Sequence, residues 1–227
     1  MIISVNGEEK HVPSSLEMIT LGKFIEWYET YGSKLDKELQ EILDKEYDHE
    51  LQLEFAIEEH LLNEAIAWYS YFTGYDFSIV KNSNQGDELL IQYKIIRGLL
   101  KEHEQNTTEF PTKIQWNGED WMIQNFVVDP KSEMTFNEII TSKEVMRQLH
   151  SLGLGKWHSL LYLSCIFFRK VDEPFLDELI YEDGERMNQL RNLPMNIAMT
   201  VGFFLRSCVD TWKSTFQFSS QEEAQVT

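Results

Sequence analysis

Cysteine is scarce in this sequence, which carries two among 227 residues. Cys165 and Cys208 each lie within an apolar run, where cysteine usually behaves as a small buried hydrophobic residue. Two such thiols make no disulfide framework, so the sequence is typical of a reducing compartment. A thiol in apolar surroundings stays protonated, and neither cysteine is therefore predicted to act as a nucleophile.

Positive charge is also scarce, because 20 Lys and Arg stand against 38 Asp and Glu, giving a net charge of −18. A nucleic-acid-binding surface needs clustered basic side chains to contact phosphates. Binding to an anionic membrane surface needs a basic face as well. We therefore expect neither nucleic acid nor membrane among the partners of this chain.

Long apolar segments are missing too. The longest runs, residues 160–168 and 197–205, are shorter than the ~20 residues that a membrane-spanning helix requires. The first residues, MIISVNGEEKH, have no basic stretch ahead of an apolar core and do not resemble a signal peptide. The expected location is the cytoplasm.

Catalytic motifs are equally sparse. No serine occupies a Gly-x-Ser-x-Gly turn, and the pair Gly153 and Gly155 lacks the third glycine of a dinucleotide-binding loop. Glu46-x-x-His49 matches half of a helical carboxylate di-iron site, for which a second Glu-x-x-His on a helix is required. We expect no enzymatic activity, cofactor or metal, and a carboxylate metalloprotein using Glu46 and His49 is the alternative of another class.

The residues that are present favour helices. Hydrophobic residues at 42% and aromatic residues at 13% are enough for a core. In the first half of the chain, apolar side chains at helical spacing predict a helix that starts at Thr20 and stops at Gly32, one that starts at Ser33, one over residues 53–72 that ends at Gly74, and one that starts at Asp87. In the second half they predict a helix that starts at Thr135 and three more from Trp157 to Lys170, from Pro174 to about Asn192 and from Pro194 to about Phe216. Whether residues 33–74 form one kinked helix or two stays open.

Two short β-hairpins are predicted at Asn6-Gly7 and Asn117-Gly118, since Asn-Gly supplies the positive φ angles of a tight turn. The fold class is therefore mainly α with two short β-hairpins. The order of hairpin followed by helices occurs twice, which we interpret as two related halves. The predicted domains are 1–103 and 112–218, with a frayed tail over 219–227, and one continuous domain is the alternative.

Acidic residues concentrate between Asp36 and Glu64, where 11 acids and two lysines give half of the net charge of the chain. Such a segment can meet a basic partner or mimic a polyanion. It can also be a solvated helix face that keeps the protein soluble. The sequence leaves these alternatives open.

The last predicted helix is apolar nearly all round, which is typical of a helix that is central or covered by a partner. We therefore predict an interface with a partner, which includes a second copy of the chain. The residues assigned to this interface are the aromatic side chains of the second hairpin and of the C-terminal region: Trp116, Trp121, Phe203, Phe204, Trp212 and Phe216.

Three segments in combination resemble small accessory proteins of tailed bacteriophages, of the tail-assembly-chaperone or baseplate-hub-assembly type. They are ITLGKFIEWYE (residues 19–29), the acidic helical middle and LPMNIAMTVGFFL (residues 193–205). The cue is a late helix that starts at proline and carries paired aromatics, which here falls on Pro194, Ile197, Ala198, Phe203 and Phe204. The hairpin WNGEDW (residues 116–121) has no counterpart in that family.

The resemblance implies a non-enzymatic role in phage morphogenesis, in which the protein holds a tail or baseplate polypeptide during assembly. It implies other phage structural or tail proteins as partners and the host cytoplasm as the location. The unmatched hairpin leaves open a structural component of the virion, such as a connector or tail ring protein.

Overall fold

The computed structural model describes residues 2–5, 8–105, 113–124, 135–181 and 184–205. The chain divides into two compact units, Met1–Glu102 and His103–Thr227. The described residues are mainly helical with short antiparallel strands, which confirms the predicted fold class. A common origin of the two halves stays a prediction.

The first unit begins with an antiparallel hairpin of two strands and continues with five helices. Val5 pairs with Glu8 across the predicted Asn6-Gly7 turn, whose own residues lie outside the described part of the chain. The elements are β1 (Ile2–Val5), β2 (Glu8–His11), α1 (Leu21–Trp27), α2 (Ser33–Asp44), α3 (Glu50–Thr73), α4 (Phe77–Lys81) and α5 (Gly86–Gln105). Residues 33–74 therefore form two helices, which a short loop over 45–49 separates.

Short-range capping explains two of these helix ends. The Thr20 side chain accepts a hydrogen bond from the Lys23 backbone N–H and begins α1, as the sequence predicts. Gly74 ends α3 in the left-handed conformation with a φ of +71°, which glycine adopts without steric cost.

The predicted stop at Gly32 is wrong, because the backbone passes through a π-helical turn, Tyr28–Gly32, directly into α2. Gly32 has ordinary helical backbone angles, so glycine is required there because a larger side chain would not fit. A Cβ atom at this position would lie 2.6 Å from Cδ2 of Tyr28 and 3.1 Å from the ring of Trp27. Close packing, and not chain termination, accounts for this glycine.

The core of the first unit is aromatic. Trp68 in α3 is fully buried, and its ring centroid lies 4.9 Å from that of Trp27 and 5.8 Å from that of Tyr93. Rings of this size dominate burial in a small core, so they join α1, α3 and α5. A salt bridge of 3.1 Å between Arg97 and Glu64 also joins α5 to α3.

The second unit combines a three-stranded antiparallel sheet with helices. The strands run in the order β3 (Lys113–Trp116), β4 (Glu119–Ile123) and β5 (Phe168–Lys170). Asn117 and Gly118 have φ angles of +53° and +75°, which confirms the second Asn-Gly hairpin. The helices are α6 (Phe136–Ser151), α7 (Lys156–Phe167), α8 (Glu185–Arg191) and α9 (residues 195–205).

Two helix predictions in this unit are wrong. The helix from Trp157 ends at Phe167 instead of Lys170, because the next three residues pair with the free edge of β4, Phe168 opposite Ile123. A short apolar run fits a buried strand as well as a buried helix. The single helix predicted from Pro174 to Asn192 is a loop, a 3₁₀ turn (Asp177–Ile180) and then α8.

Candidate partner-binding surface

The tryptophans of the second hairpin, predicted as partner contacts, are core residues of their unit. Trp121 is 0% exposed and Trp116 is 7% exposed. Their ring centroids lie 4.8 Å apart, and Trp121 stacks on Phe168 at 5.1 Å. The reason is the third strand, which places Phe168 against the indole face and closes it from solvent. This placement corrects the expectation that these two side chains are exposed to a partner.

The remaining aromatic residues of the predicted interface lie near the C-terminal end. Phe204 is buried and Phe203 is half-buried, both in α9. Trp212 and Phe216 lie outside the described residues. A partner interface at these four residues stays a prediction.

The half-motif for a helical metal site does not have the geometry that such a site requires. Glu46 and His49 lie in the loop between α2 and α3, so they do not project one helical turn apart from the same face. Among the described residues, no group of three His, Cys, Asp or Glu side chains is placed to hold a metal ion.

The Cys165 thiol is fully buried in α7. Burial raises the pKa of this thiol to about 12, since desolvation disfavours the thiolate. The side chain is therefore protonated and unreactive at neutral pH. Cys208 lies outside the described residues.

The acidic segment forms a helical hairpin. A five-residue loop over 45–49 joins α2 and α3, and the two helices pack against each other. Near the base of this hairpin α3 is buried from Glu64 to Ser70, whereas residues 50–55 are exposed apart from Leu53. The loop end of the hairpin therefore carries surface that no described residue covers.

Three large apolar side chains form an exposed stripe on α3. Leu51 is 63% exposed and Phe55 is 68% exposed, and Leu62 is also exposed. At 100° per residue these side chains lie within about 40° of one another, along roughly 16 Å of helix. We refer to Leu51, Phe55 and Leu62 as the α3 stripe. Leu43, in the last turn of α2, is a further exposed apolar residue at the loop end of the hairpin.

Glutamates border the α3 stripe on both edges. Glu54 lies on one side of it and Glu59 on the other, whereas Glu58 lies in line with it between Phe55 and Leu62, and all three are exposed. Within the part of the chain that the structure describes, none of the three pairs with a Lys or Arg side chain. The surface is therefore an apolar stripe that Glu58 interrupts, between two negatively charged margins.

Periodicity alone identified a different face of this helix. Leu53, Ile57 and Leu61 also recur at helical spacing, and this spacing predicts that they form the buried face of the helix. The signal for the α3 stripe is that the first half of α3 has apolar residues on two faces. A two-helix hairpin can bury only one of them.

Every helix in the described ranges is too short or too polar to serve as a membrane span. Comparisons with protein-family models, with curated proteins and with solved structures find no match to this chain.

Proposed function

We propose that this protein is a non-enzymatic binding protein of phage morphogenesis, which holds a tail or baseplate polypeptide while the particle assembles. The observation that supports the proposal is the exposed α3 stripe. Burying a side chain such as Phe55 is worth about 1.5–3 kcal/mol, which a partner gains when it covers the stripe. The acidic margins keep the unbound protein soluble, as a holding protein needs.

A permanent place in the particle, as a connector or tail ring protein, is the alternative within the same class. It is favoured by the hairpin of Trp116 and Trp121, which has no counterpart in the assembly-chaperone family. That hairpin builds the core of a separate three-stranded sheet unit.

The test is co-expression of this chain with the products of the neighbouring genes, one at a time, followed by affinity purification. We expect a stoichiometric complex with one tail or baseplate polypeptide that is insoluble when expressed alone. Mass spectrometry of finished particles separates the two candidates, because a chaperone is absent from them and a structural component is present. Neighbouring genes that encode no virion protein, or that yield no complex, would overturn the proposal.

A further inference from the structure

The α3 stripe continues as a heptad seam. Leu51, Phe55, Glu58 and Leu62 follow one another at intervals of four, three and four residues. This is the spacing of the core positions in a coiled coil, where each side chain inserts between four residues of a facing helix. The exposed part of α3 therefore has the pattern for receiving one more helix, and one position of the seam is a carboxylate.

We infer that the α3 stripe binds an amphipathic helix of another protein, with basic flanks and a lysine or arginine opposite Glu58. This inference rests on the proposed function, since it specifies the chemistry of the polypeptide that the protein holds. Apolar residues of the partner cover Leu51, Phe55 and Leu62. Basic residues of the partner face the glutamates on the two margins.

Charge identifies the partner helix as basic. Glu54, Glu58 and Glu59 would each be brought close to the docked helix, and like charges across an interface cost several kcal/mol. A cation opposite Glu58 removes the penalty of covering a carboxylate and fixes the register of the two helices.

The same charges disfavour a second copy of this chain. In a two-fold dimer each stripe contacts its own image, so the glutamate margins of both protomers would meet. The segment from Asp36 to Glu64 offers only Lys37 and Lys45 against 11 acids, which is too few to neutralise such a contact. The occupant is therefore a partner of opposite charge.

The probe for the test is a fluorescein-labelled peptide of roughly three heptads, with leucine at the core positions, one lysine at a central core position and lysines on the flanks. One control peptide has the same composition in scrambled order. Another carries glutamate in place of every lysine. Fluorescence anisotropy measures the affinity of the full-length protein for each peptide.

We expect the lysine peptide to bind and both control peptides to bind at least about 10-fold more weakly. Raising NaCl from about 50 mM to about 300 mM should lower the affinity for the lysine peptide, since salt screens the charges on the margins. Phe55→Ser should lower the affinity by about 10-fold or more, because it removes the largest apolar contact. Leu51→Ser is the second variant and should act in the same direction.

Matched controls separate the stripe from general surface effects. Phe77→Ser makes the same change at an exposed phenylalanine of α4, and it should leave the affinity unchanged. Glu58→Gln should weaken binding, whereas Glu17→Gln changes the net charge equally on another exposed site and should not. All of these side chains are exposed, so each variant should keep the wild-type circular dichroism spectrum.

Equal binding of the scrambled peptide, or wild-type affinity of Phe55→Ser, would overturn the inference. A dimer in analytical ultracentrifugation that Phe55→Ser dissociates would also overturn it, since a second copy would then occupy the stripe. If the lysine peptide does not bind but co-expression yields a soluble complex, only the chemistry inferred for the partner helix is refuted. If the lysine peptide binds but co-expression yields no complex, the proposed role in phage assembly is refuted and the inference about the α3 stripe stands.

Discussion

Breaking the buried ion pair between Glu138 and Arg169 by removing one partner should remove a large part of the stability of the second unit. Nη2 of Arg169 lies 2.6 Å from Oε1 of Glu138, and both side chains are almost completely inaccessible to solvent. The other carboxylate oxygen of Glu138 accepts a hydrogen bond from the backbone N–H of Thr135, in a capping box at the start of α6. Glu138 thus ties the first turn of α6 to strand β5.

Removing the arginine alone leaves a buried carboxylate without its countercharge. We expect Arg169→Met to lower the free energy of unfolding by about 3–5 kcal/mol, the range measured when one partner of a buried pair is deleted. A typical domain has about 5–15 kcal/mol in total, so the loss is a large fraction. Glu138→Gln keeps an acceptor for the capping box, and the double variant with Arg169→Met should recover part of the loss.

Urea denaturation followed by circular dichroism measures the effect. With a slope of about 2 kcal/mol/M, the middle of the usual range for urea, the loss corresponds to a midpoint lower by roughly 1.5–2.5 M. Hydrogen exchange with mass spectrometry should locate the lost protection in α6 and β5. Additive effects of the two single changes in the double variant would refute the reasoning, because they would mean that the two side chains do not interact.

The control is the exposed pair of Glu144 and Arg147 on the same helix. Arg147→Met breaks a 2.7 Å salt bridge in solvent and should not measurably move the urea midpoint.

The hydrogen bonds from Arg147 and Gln148 lower the pKa of Glu144 to about 2. A lowered pKa stabilises the fold above the ordinary value of 4.5, and this small contribution is lost as the pH falls towards 2. An NMR titration of Arg147→Met should show the Glu144 midpoint moving back up.

Two further predictions follow from packing. In a variant carrying Cys208→Ser, Cys165 should react with a thiol reagent only after denaturant is added, because burial raises its pKa to about 12; rapid labelling of the native protein would contradict this. Gly32→Ala should destabilise the first unit by about 1–3 kcal/mol, since its Cβ meets the ring of Tyr28. The matched change Gly98→Ala, where nothing lies within 4 Å, should instead stabilise the helix by about 0.4–1 kcal/mol, and thermal melts of both variants decide the sign.

Much of the secondary structure could be predicted because its causes are local. The apolar spacing that predicts helices reports only that one face will be buried, and it does so for most of the described helices. It failed at residues 168–170, where strand or helix depends on whether a free sheet edge is nearby. The rule that glycine ends a helix failed at Gly32, which has helical angles and lies close to the rings of Trp27 and Tyr28.

The candidate surface could be predicted only in part. The acidic charge between Asp36 and Glu64 is visible in the sequence, and so is the presence of apolar residues within it. Which of those residues are covered depends on how far α2 extends along α3, which no local pattern encodes. The burial of Trp116 and Trp121 within their own unit could not be predicted for the same reason, because both rings contact Phe168, about 50 residues away along the chain.

The sequence by itself determined the acidic character, the helical class, the threonine caps of α1 and α6, and the Asn-Gly turn. Each of these follows from charge, or from hydrogen bonds and φ angles within a few residues. The tertiary structure alone decided that Trp121 is interior, that Glu138 meets Arg169 and that Phe55 is exposed. Burial is set by contacts between residues far apart in the chain, so only the folded arrangement separates an apolar core position from an apolar binding surface.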